Sequence, residues 1–180
     1  MNNSKYKLIN VEKKDINKIY DIGKNNLDIY YDKNHLNYFI TNKNYKMFKV
    51  IFENNICAFV ICEIINDNKL HINSIAVDKK YRRIGIGSFM LSSIKNKFNY
   101  KYITLYVSVK NTKAINLYKK NKFKINKKIN NYYYTLNEDA FVMYYNKNDY
   151  KLEGFKNNIN NYYSHIYIFL LILFIIYLII

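Results

Sequence analysis

The sequence contains no proline and no tryptophan, and it has only four glycines and two cysteines among 180 residues. Lysine, asparagine, isoleucine and tyrosine dominate instead, a bias that an AT-rich genome imposes on any protein. Cys57 and Cys62 lie five residues apart, without the closer spacing and further ligands that a metal site needs. Positions five apart on a strand face opposite sides, so we expect buried, reduced thiols, no disulfide and no bound metal.

Acidic residues are scarce, because 13 Asp and Glu stand against 29 Lys and Arg, which gives a net charge of +16. Such a charge can attract nucleic acid or an anionic membrane. However, the lysines are spread along the chain, and no helix-turn-helix, zinc-finger or aromatic RNA-binding signature organises them. We therefore predict a solvated lysine-rich surface and no nucleic-acid partner. The opposite interpretation predicts nucleic-acid binding that weakens steeply with salt.

The two ends of the chain differ sharply in hydrophobicity. The opening stretch MNNSKYKLINVEKKD contains no apolar run, so no secretory signal is expected. Residues 166–180 read IYIFLLILFIIYLII, and with the entry tyrosines the run 162–180 reaches about 19 residues, roughly 28 Å as a helix. That length is close to the ~30 Å hydrocarbon core of a bilayer. The alternative is a buried core helix, but such a helix is rarely apolar on every face.

The charges around this apolar run predict its orientation. Lysines precede the run and no charged residue follows it, so the positive-inside rule places the preceding domain in the cytosol. We therefore expect a folded domain at 1–146, a polar linker at 147–161 and a C-terminal transmembrane helix at 162–180.

The spacing of apolar residues predicts the elements of the folded domain. An edge strand, a helix and a loop with a second short helix precede three strands joined by Asn-rich turns. A helix, a strand, a helix and two final strands follow, which places the domain in the α+β class. The predicted ranges, in order, are 5–11, 15–23, 27–42, 45–53, 56–65, 70–78, 86–98, 101–109, 111–121, 123–129 and 140–146.

The decapeptide KKYRRIGIGS gathers both arginines of the chain, Arg82 and Arg83, and two of its glycines, Gly85 and Gly87. It lies between a predicted strand and a predicted helix. A helix N-terminus offers unpaired N–H groups and partial positive charge, which suit a phosphate, and arginine adds multidentate donors. The pattern is neither the dinucleotide fingerprint nor a Walker loop. Its alternative interpretation is a glycine turn with two surface arginines.

In this context the segment R-x-x-G-x-G resembles the GCN5-related N-acetyltransferase family, in which [QR]-x-x-G-x-[GA] wraps the pyrophosphate of acetyl-coenzyme A. The stretch from Asn111 to Phe123 is similar to the family's second signature, N-x-x-A-x-x-L-Y-x-x-x-x-F, although Lys122 replaces a usual glycine. The resemblance implies a mixed, mostly antiparallel central sheet flanked by helices, with acetyl-coenzyme A as co-substrate and no metal. It implies these cofactor-binding residues: Ile75, Ala76, Val77, Arg82, Arg83, Ile84, Gly85, Ile86, Gly87, Ser88, Asn111 and Tyr118.

Within that family the sequence is similar to protein N-terminal acetyltransferases, most closely the membrane-attached NatF type, with NatE-type catalytic subunits next. In these enzymes hairpin tyrosines and an apolar-aromatic loop clamp the backbone of the substrate. The resemblance therefore implies a substrate site of Leu27, Ile29, Tyr31, Tyr132, Tyr133 and Tyr134. The family loop has a proline where Asp28 stands here, which is a departure in one half of the pocket.

The resemblance also implies a catalytic pair acting through water. Close relatives place a Tyr on the strand before the glycine segment and a His on the strand after it, whereas this chain has His71 and Tyr106 in those places. Imidazole is the natural group to accept a proton near neutral pH, and a Tyr opposite it could hold the water. Tyr118 is implied as the donor to the leaving thiolate. The alternative for His71 is a strand-surface histidine without a role.

Together these features predict an Nα-acetyltransferase that acts on cytosol-facing protein N-termini, starting with Met, from a membrane such as the Golgi or endoplasmic reticulum. One alternative is a lysine or small-amine acetyltransferase of the same fold. Another is a catalytically silent membrane adaptor that still binds coenzyme A, which the exchanged pair His71 and Tyr106 would fit. The sequence does not decide whether an auxiliary subunit exists.

Overall fold

The computed structural model describes residues 5–149 of the chain. Among these residues no helix is both long enough and apolar enough to span a bilayer. The predicted anchor at 162–180, and the predicted linker from residue 150 onward, lie outside the described residues.

The described residues form a seven-stranded sheet with helices on both faces, which confirms the predicted α+β class. The order across the sheet is β1-β2-β3-β4-β5-β7-β6, and β4 pairs with β5 in parallel. The pairs β1–β2, β2–β3, β3–β4 and β6–β7 are antiparallel. The strands are β1 (Lys7–Asn10), β2 (Tyr45–Phe52), β3 (Asn55–Asn66), β4 (Lys69–Val77), β5 (Tyr102–Ser108), β6 (Lys124–Tyr133) and β7 (Glu138–Asn146), and the helices are α1 (Ile16–Asn26), α2 (Lys33–Thr41), α3 (Ile86–Lys97) and α4 (Thr112–Lys120).

Two turns contain residues with left-handed backbone. Glu53 and Asn54 both have positive φ, 48° and 61°, which is the geometry of the two-residue turn that joins antiparallel strands. Lys122 also has a positive φ, 67°, in the turn after α4. The predicted long turn before the last strand is shorter than expected, because β6 continues through Tyr133.

The parallel pairing of β4 with β5 is short, and this opens the sheet. The register runs from Lys69 opposite Tyr102 to Ile72 opposite Leu105 and stops there, although β4 continues to Val77. Beyond that point β5 turns toward β7, since the Val109 amide donates to the Asp139 carbonyl. Beyond Ile72, the edge of β4 that was paired with β5 therefore faces a gap between these two strands.

The two faces of the sheet carry separate cores. The first core packs α3 and α4 against β2 to β5, and the second core packs α1 and α2 against β2 to β4. Cys57 and Cys62 are both buried, unpaired thiols, as expected. The prediction that they face opposite sides is wrong, because both lie in the first core. The pairing of β2 with β3 has a bulge at Cys57, and this extra residue reverses the alternation.

A buried ion pair joins the start of α1 to the sheet. The Lys49 ammonium donates to the Asp15 carboxylate, and both side chains are almost wholly buried. The same carboxylate accepts the Glu12 amide at 2.7 Å. Burial by itself would raise the pKa of Asp15, but the hydrogen bonds from Lys49 and Glu12 outweigh it and hold that pKa below its usual range.

Replacing Asp15 by Asn should destabilise the domain by about 3–5 kcal/mol at pH 7, because a charged Lys49 would remain buried without its partner. Denaturant unfolding of the full-length chain in mild detergent, followed by circular dichroism, measures this loss. Lys14→Gln is the matched control, since the Lys14–Glu12 pair is exposed and such pairs contribute less than about 1 kcal/mol.

The same pair predicts an acid-dependent stability. The lowered pKa of Asp15 stabilises the folded state above the unfolded pKa of about 3.9, and this contribution disappears as pH falls through the folded pKa. The Asp15→Asn variant should lack that part of the acid loss. Equal stability of wild type and variant at pH 7 would contradict the prediction.

Candidate active site

An open cleft of about 500 Å³ lies where β4 and β5 separate. Its walls come from β4, β5, the loop between α1 and α2, the start of α4 and the turn between β6 and β7. The cleft brings together the following residues predicted from the sequence: Leu27, Ile29, Tyr31, His71, Ile75, Tyr106, Asn111, Tyr118, Tyr132, Tyr133 and Tyr134. The remaining predicted residues, Ala76, Val77, Arg82, Arg83, Ile84, Gly85, Ile86, Gly87 and Ser88, lie at the end of β4 and the start of α3.

His71 lies on β4 at the point where the strands part. Its Nδ1 atom is 2.9 Å from the Thr104 hydroxyl on β5, and its ring centroid is 4.8 Å from that of Tyr106. Burial lowers the pKa of His71, and the nearby Glu63 carboxylate opposes this effect. The ring is therefore neutral over a wider pH range than a free imidazole, and it can accept a proton there.

Tyrosine rings continue from His71 across the cleft. The Tyr106 and Tyr132 centroids are 4.8 Å apart, and those of Tyr132 and Tyr133 are 4.9 Å apart, both pairs being edge-to-face. Burial raises the pKa of Tyr133 to about 12, so this hydroxyl stays protonated. Tyr134 is 78% exposed and therefore stands at the rim of the cleft rather than within it.

Tyr118 on α4 closes the inner end of the cleft. Its side chain is buried in the first core, and burial raises its pKa well above the usual tyrosine range, with nearby Tyr133 adding to the rise. A phenol in this position keeps its proton at every physiological pH. It can therefore donate a hydrogen bond to an anion that forms in front of it.

The glycine segment begins α3 without a side-chain cap. Gly85 is the N-cap residue and has φ 96°, a conformation that residues with a Cβ rarely adopt. The Phe89 amide is bonded to the Gly85 carbonyl, so the amides before it in the first turn point toward the end of the helix. Gly87 serves packing: a Cβ there would lie 2.9 Å from Leu117 Cδ2, so its absence lets α3 approach α4.

Arg82 ties the segment before α3 to the end of β4 and to the end of α1. Its Nε donates to the Val77 carbonyl at 3.0 Å, and its guanidinium also donates to Asn26 Oδ1 at 2.8 Å. Asn26 Oδ1 accepts the Lys79 amide as well, at 3.1 Å. Sequence reasoning missed Asn26, which lies at the end of α1 in an Asn-rich chain and carries no local signal of this contact.

Asn111 is the N-cap residue of α4. Its Oδ1 accepts the Ala114 amide at 3.0 Å and so caps α4, while the residue also lines the cleft. A neighbouring residue, Ser108, also lines the cleft and was not predicted. Its hydroxyl donates to Glu138 and accepts the Lys110 amide, so it links β5 to β7 beside the cap.

Two further polar residues were also missed: Asn73, which lines the cleft, and Glu63, which contacts it from β3. Asn73 Nδ2 donates to Glu63 Oε2 at 3.0 Å, and Asn73 lies at a bulge in the pairing of β3 with β4. Its Oδ1 is buried and has no hydrogen-bond partner among the described residues. Strand alternation could have placed Glu63 and His71 on one face, but it could not have indicated the bulge that turns Asn73.

Charge is distributed unevenly around the cleft. Asp28 is the one Asp, Glu, Lys or Arg side chain among the described residues that line it, although the chain has 29 Lys and Arg. From Lys79 to Asn137, which includes α3 and α4, the sequence contains no Asp or Glu. The helices that begin beside the cleft are therefore free of acidic side chains, while the cleft itself is free of lysine. Within residues 5–149, no group of three His, Cys, Asp or Glu side chains could hold a metal ion.

Comparison with known proteins identifies relatives by sequence. The model of the acetyltransferase (GNAT) family matches residues 14–123. An N-alpha-acetyltransferase of Sulfurisphaera tokodaii is 44% identical over 79 residues, covering 42% of this chain and 47% of that protein. The N-alpha-acetyltransferase daf-31 of Caenorhabditis elegans is 40% identical over 78 residues, covering 41% of this chain and 42% of that protein. The matches thus span less than half the length of these curated relatives.

Solved structures share the fold over most of the chain. Ard1 from Thermoplasma volcanium has a TM-score of 0.71 and 24% identity, covering 79% of this chain and 97% of that one. Spermidine N-acetyltransferase SpeG from Vibrio cholerae has a TM-score of 0.71 and 21% identity, covering 82% of this chain and 97% of that one. Arabidopsis thaliana Naa50 in complex with the bisubstrate analogue CoA-Ac-MVNAL has a TM-score of 0.66 and 23% identity, covering 78% of this chain and 98% of that one. These likenesses establish the fold.

The left-handed backbone at Gly85 predicts a graded stability loss. Gly85→Ala should destabilise the domain by about 1–2 kcal/mol, because alanine is strained at φ 96° although nothing lies within 4 Å of its Cβ. Gly85→Asn should lose less, because asparagine tolerates this region. Denaturant unfolding compares the two variants, and equal losses would show that backbone strain is not the cause.

Proposed function

Because this chain belongs to the GCN5-related N-acetyltransferase (GNAT) family, we propose that it transfers an acetyl group from acetyl-coenzyme A to the α-amine of protein N-termini. The observation that carries the proposal is the meeting of His71, Tyr118 and the tyrosines 132–134 in one cleft beside an uncapped helix start. Curated relatives named N-alpha-acetyltransferase support the reaction type. The Naa50 complex supports a peptide as the acceptor.

The phosphate end of the co-substrate fits the start of α3. The amides of Ile86, Gly87 and Ser88 precede the first helical hydrogen bond, and anions bind such groups. Arg83 is exposed beside them, and no acidic side chain occurs from Lys79 to Asn137 to repel a phosphate. In this proposal Arg82 mainly holds the segment in place, while Asn111 and Ile75 contact the arm that leads into the cleft.

The chemistry in the cleft is direct transfer. His71 accepts a proton from the substrate ammonium through a water that Tyr106 orients, and the freed amine attacks the thioester carbonyl carbon. Acetyl-coenzyme A, when bound, supplies that thioester. The backbone amides of β4 near Val77 stabilise the oxyanion as the C–N bond forms. The C–S bond then breaks as the attacking nitrogen loses a second proton, and Tyr118 gives its own proton to the departing thiolate. The second proton from nitrogen restores the Tyr118 hydroxyl, and the first leaves His71 through the water, so each turnover releases one proton to solvent.

The first residue of the substrate lies between the loop of α1–α2 and the hairpin tyrosines. Leu27, Ile29 and Tyr31 form the apolar side, which suits a retained methionine. The absence of lysine from the cleft suits an acceptor that arrives as a cation.

The proposal extends to a NatF-type enzyme whose apolar run at 162–180 anchors it to a membrane with the catalytic domain in the cytosol. Such an anchor would favour the acetylation of nearby N-termini.

A small-amine acceptor is the second candidate. The spermidine N-acetyltransferase neighbour matches the fold as well as Ard1 does, with a TM-score of 0.71 for each. The aromatic clamp of Tyr132 and Tyr133 favours a peptide, because its rings offer flat apolar surface rather than carboxylates for a polyamine. A catalytically silent adaptor is the third alternative. Coenzyme A binding alone would not require a half-buried His71 that is hydrogen-bonded to Thr104 where β4 and β5 separate.

One assay separates these functions. The full-length chain in mild detergent is given acetyl-coenzyme A and a peptide that begins Met-Lys and has a second lysine inside, with spermidine in a parallel reaction. Tandem mass spectrometry should find the acetyl group on the α-amine alone. Acetyl on lysine or spermidine would replace the proposed acceptor. Coenzyme A binding without any transfer would support the adaptor.

The role of His71 predicts a particular pH profile. A general base must be deprotonated to act, and burial lowers the pKa of His71. The fall of kcat/KM on the acid side of its pH profile, the acid limb, should therefore lie below pH ~6.5. His71→Gln should lower kcat/KM by about 10²-fold or more and remove this limb. His35→Gln is the control, since His35 is exposed on α2 and pairs with Asp32. A retained limb in His71→Gln would assign it to another group.

A further inference from the structure

We propose that Thr104 is a positioning residue, which fixes the His71 ring so that Nε2 is the proton acceptor in the cleft. The inference rests on the proposed acetyl transfer and extends it to a residue on the neighbouring strand. Thr104 carries no sequence signal of its own, because it stands in an ordinary alternating strand. Its role depends on how the sheet pairs.

The register of the sheet puts Thr104 beside His71. The two residues are direct partners in the last part of the parallel pairing of β4 with β5. Ile103 and Leu105 are buried in the first core, so Thr104 points to the opposite face, where His71 also lies. Tyr106, two residues farther along, shares that face and contacts the ring. Thr104 is thus the last paired residue of this face before the cleft opens.

The hydrogen bonds of Thr104 select one tautomer of the imidazole. Its Oγ1 is 2.9 Å from His71 Nδ1 and 3.5 Å from the Leu70 carbonyl oxygen. A hydroxyl has one hydrogen, and the Leu70 oxygen can only accept it. When that hydrogen points to Leu70, Oγ1 accepts a hydrogen bond from Nδ1–H. The neutral ring then has its lone pair on Nε2.

The groups around His71 leave this task to Thr104. Glu63 faces the ring from β3, and its carboxylate already accepts the Asn73 amide at 3.0 Å. Lys69 is on the same strand as His71, and the Tyr106 hydroxyl belongs to the cleft wall on β5. Tyr31 lines the cleft from the loop between α1 and α2. Within residues 5–149, the hydrogen-bond partner of Nδ1 is Thr104 rather than any of these groups.

The contact matters more after proton transfer than before it. When Nε2 takes a proton, the ring becomes a cation and the Nδ1–H bond to Thr104 becomes charge-assisted, which strengthens it. Thr104 therefore stabilises the imidazolium and raises the basicity of His71 against the effect of burial. It also holds the ring plane toward the gap between β4 and β5, where the reacting amine would lie.

Two variants isolate the hydroxyl. Thr104→Val has nearly the same shape but no hydroxyl, while Thr104→Ser keeps the hydroxyl. In the full-length chain in detergent, Thr104→Val should lower kcat about tenfold with an unchanged KM for acetyl-coenzyme A, and its acid limb should move to lower pH. Thr104→Ser should stay within about twofold of wild type. A wild-type kcat and acid limb in Thr104→Val would overturn the proposal.

A double variant distinguishes positioning from a structural role. If Thr104 acts through His71, Thr104→Val should cause no further loss in the His71→Gln background. An additional tenfold loss in that background would show that Thr104 acts through something else and would overturn the inference.

A spectroscopic test is independent of activity. In ¹⁵N-labelled full-length protein, the wild type and Thr104→Ser should show a His71 ring protonated at Nδ1, and Thr104→Val should lose that preference. His71→Gln identifies the signal among those of His35 and His165. A wild-type ring protonated at Nε2 would overturn the inference. An Nδ1-protonated ring in a chain that transfers no acetyl group would support the ring assignment and overturn the acetyl-transfer function instead.

Discussion

The early end of the parallel pairing between β4 and β5 is the constraint on which the site depends. The strands are paired through Ile72 and Leu105, and then β5 turns toward β7 while β4 continues beside β3. Without this separation the backbone of β4 would be hydrogen-bonded on both edges, and no ligand could lie beside it. With it, the residues at the fork, His71 and Tyr106, become walls of a cleft rather than neighbours in a closed sheet.

The two cores divide the work on either side of that fork. The first core packs α3 and α4 together and so brings the uncapped helix start near the cap at Asn111. The second core holds α1 and α2, whose connecting loop forms the opposite wall of the cleft. Asn26 joins the two, because it accepts hydrogen bonds from Arg82 and from the Lys79 amide. The loop that would hold the acceptor is thereby fixed to the segment that would hold the donor.

Burial shifts the pKa values of the titratable groups at the two ends of the cleft in opposite directions. Removing a group from water disfavours its charged form, so the same effect lowers the pKa of His71 and raises that of Tyr118. In the proposed reaction the neutral histidine accepts a proton and the protonated tyrosine donates one. The Glu63 carboxylate opposes the lowering of the His71 pKa, whereas Lys69 adds to it.

The sequence by itself determined the α+β class, the order of elements and the glycine turn at Gly85, because these depend on local spacing and on backbone preference. Only the tertiary structure decided which residues meet. The bulge at Cys57, the task of Gly87 in helix packing and the contacts of Asn26 and Thr104 depend on strand register and on distances between segments far apart in the chain. Local patterns carry no record of such distances, since one displaced pairing changes every partner along a strand.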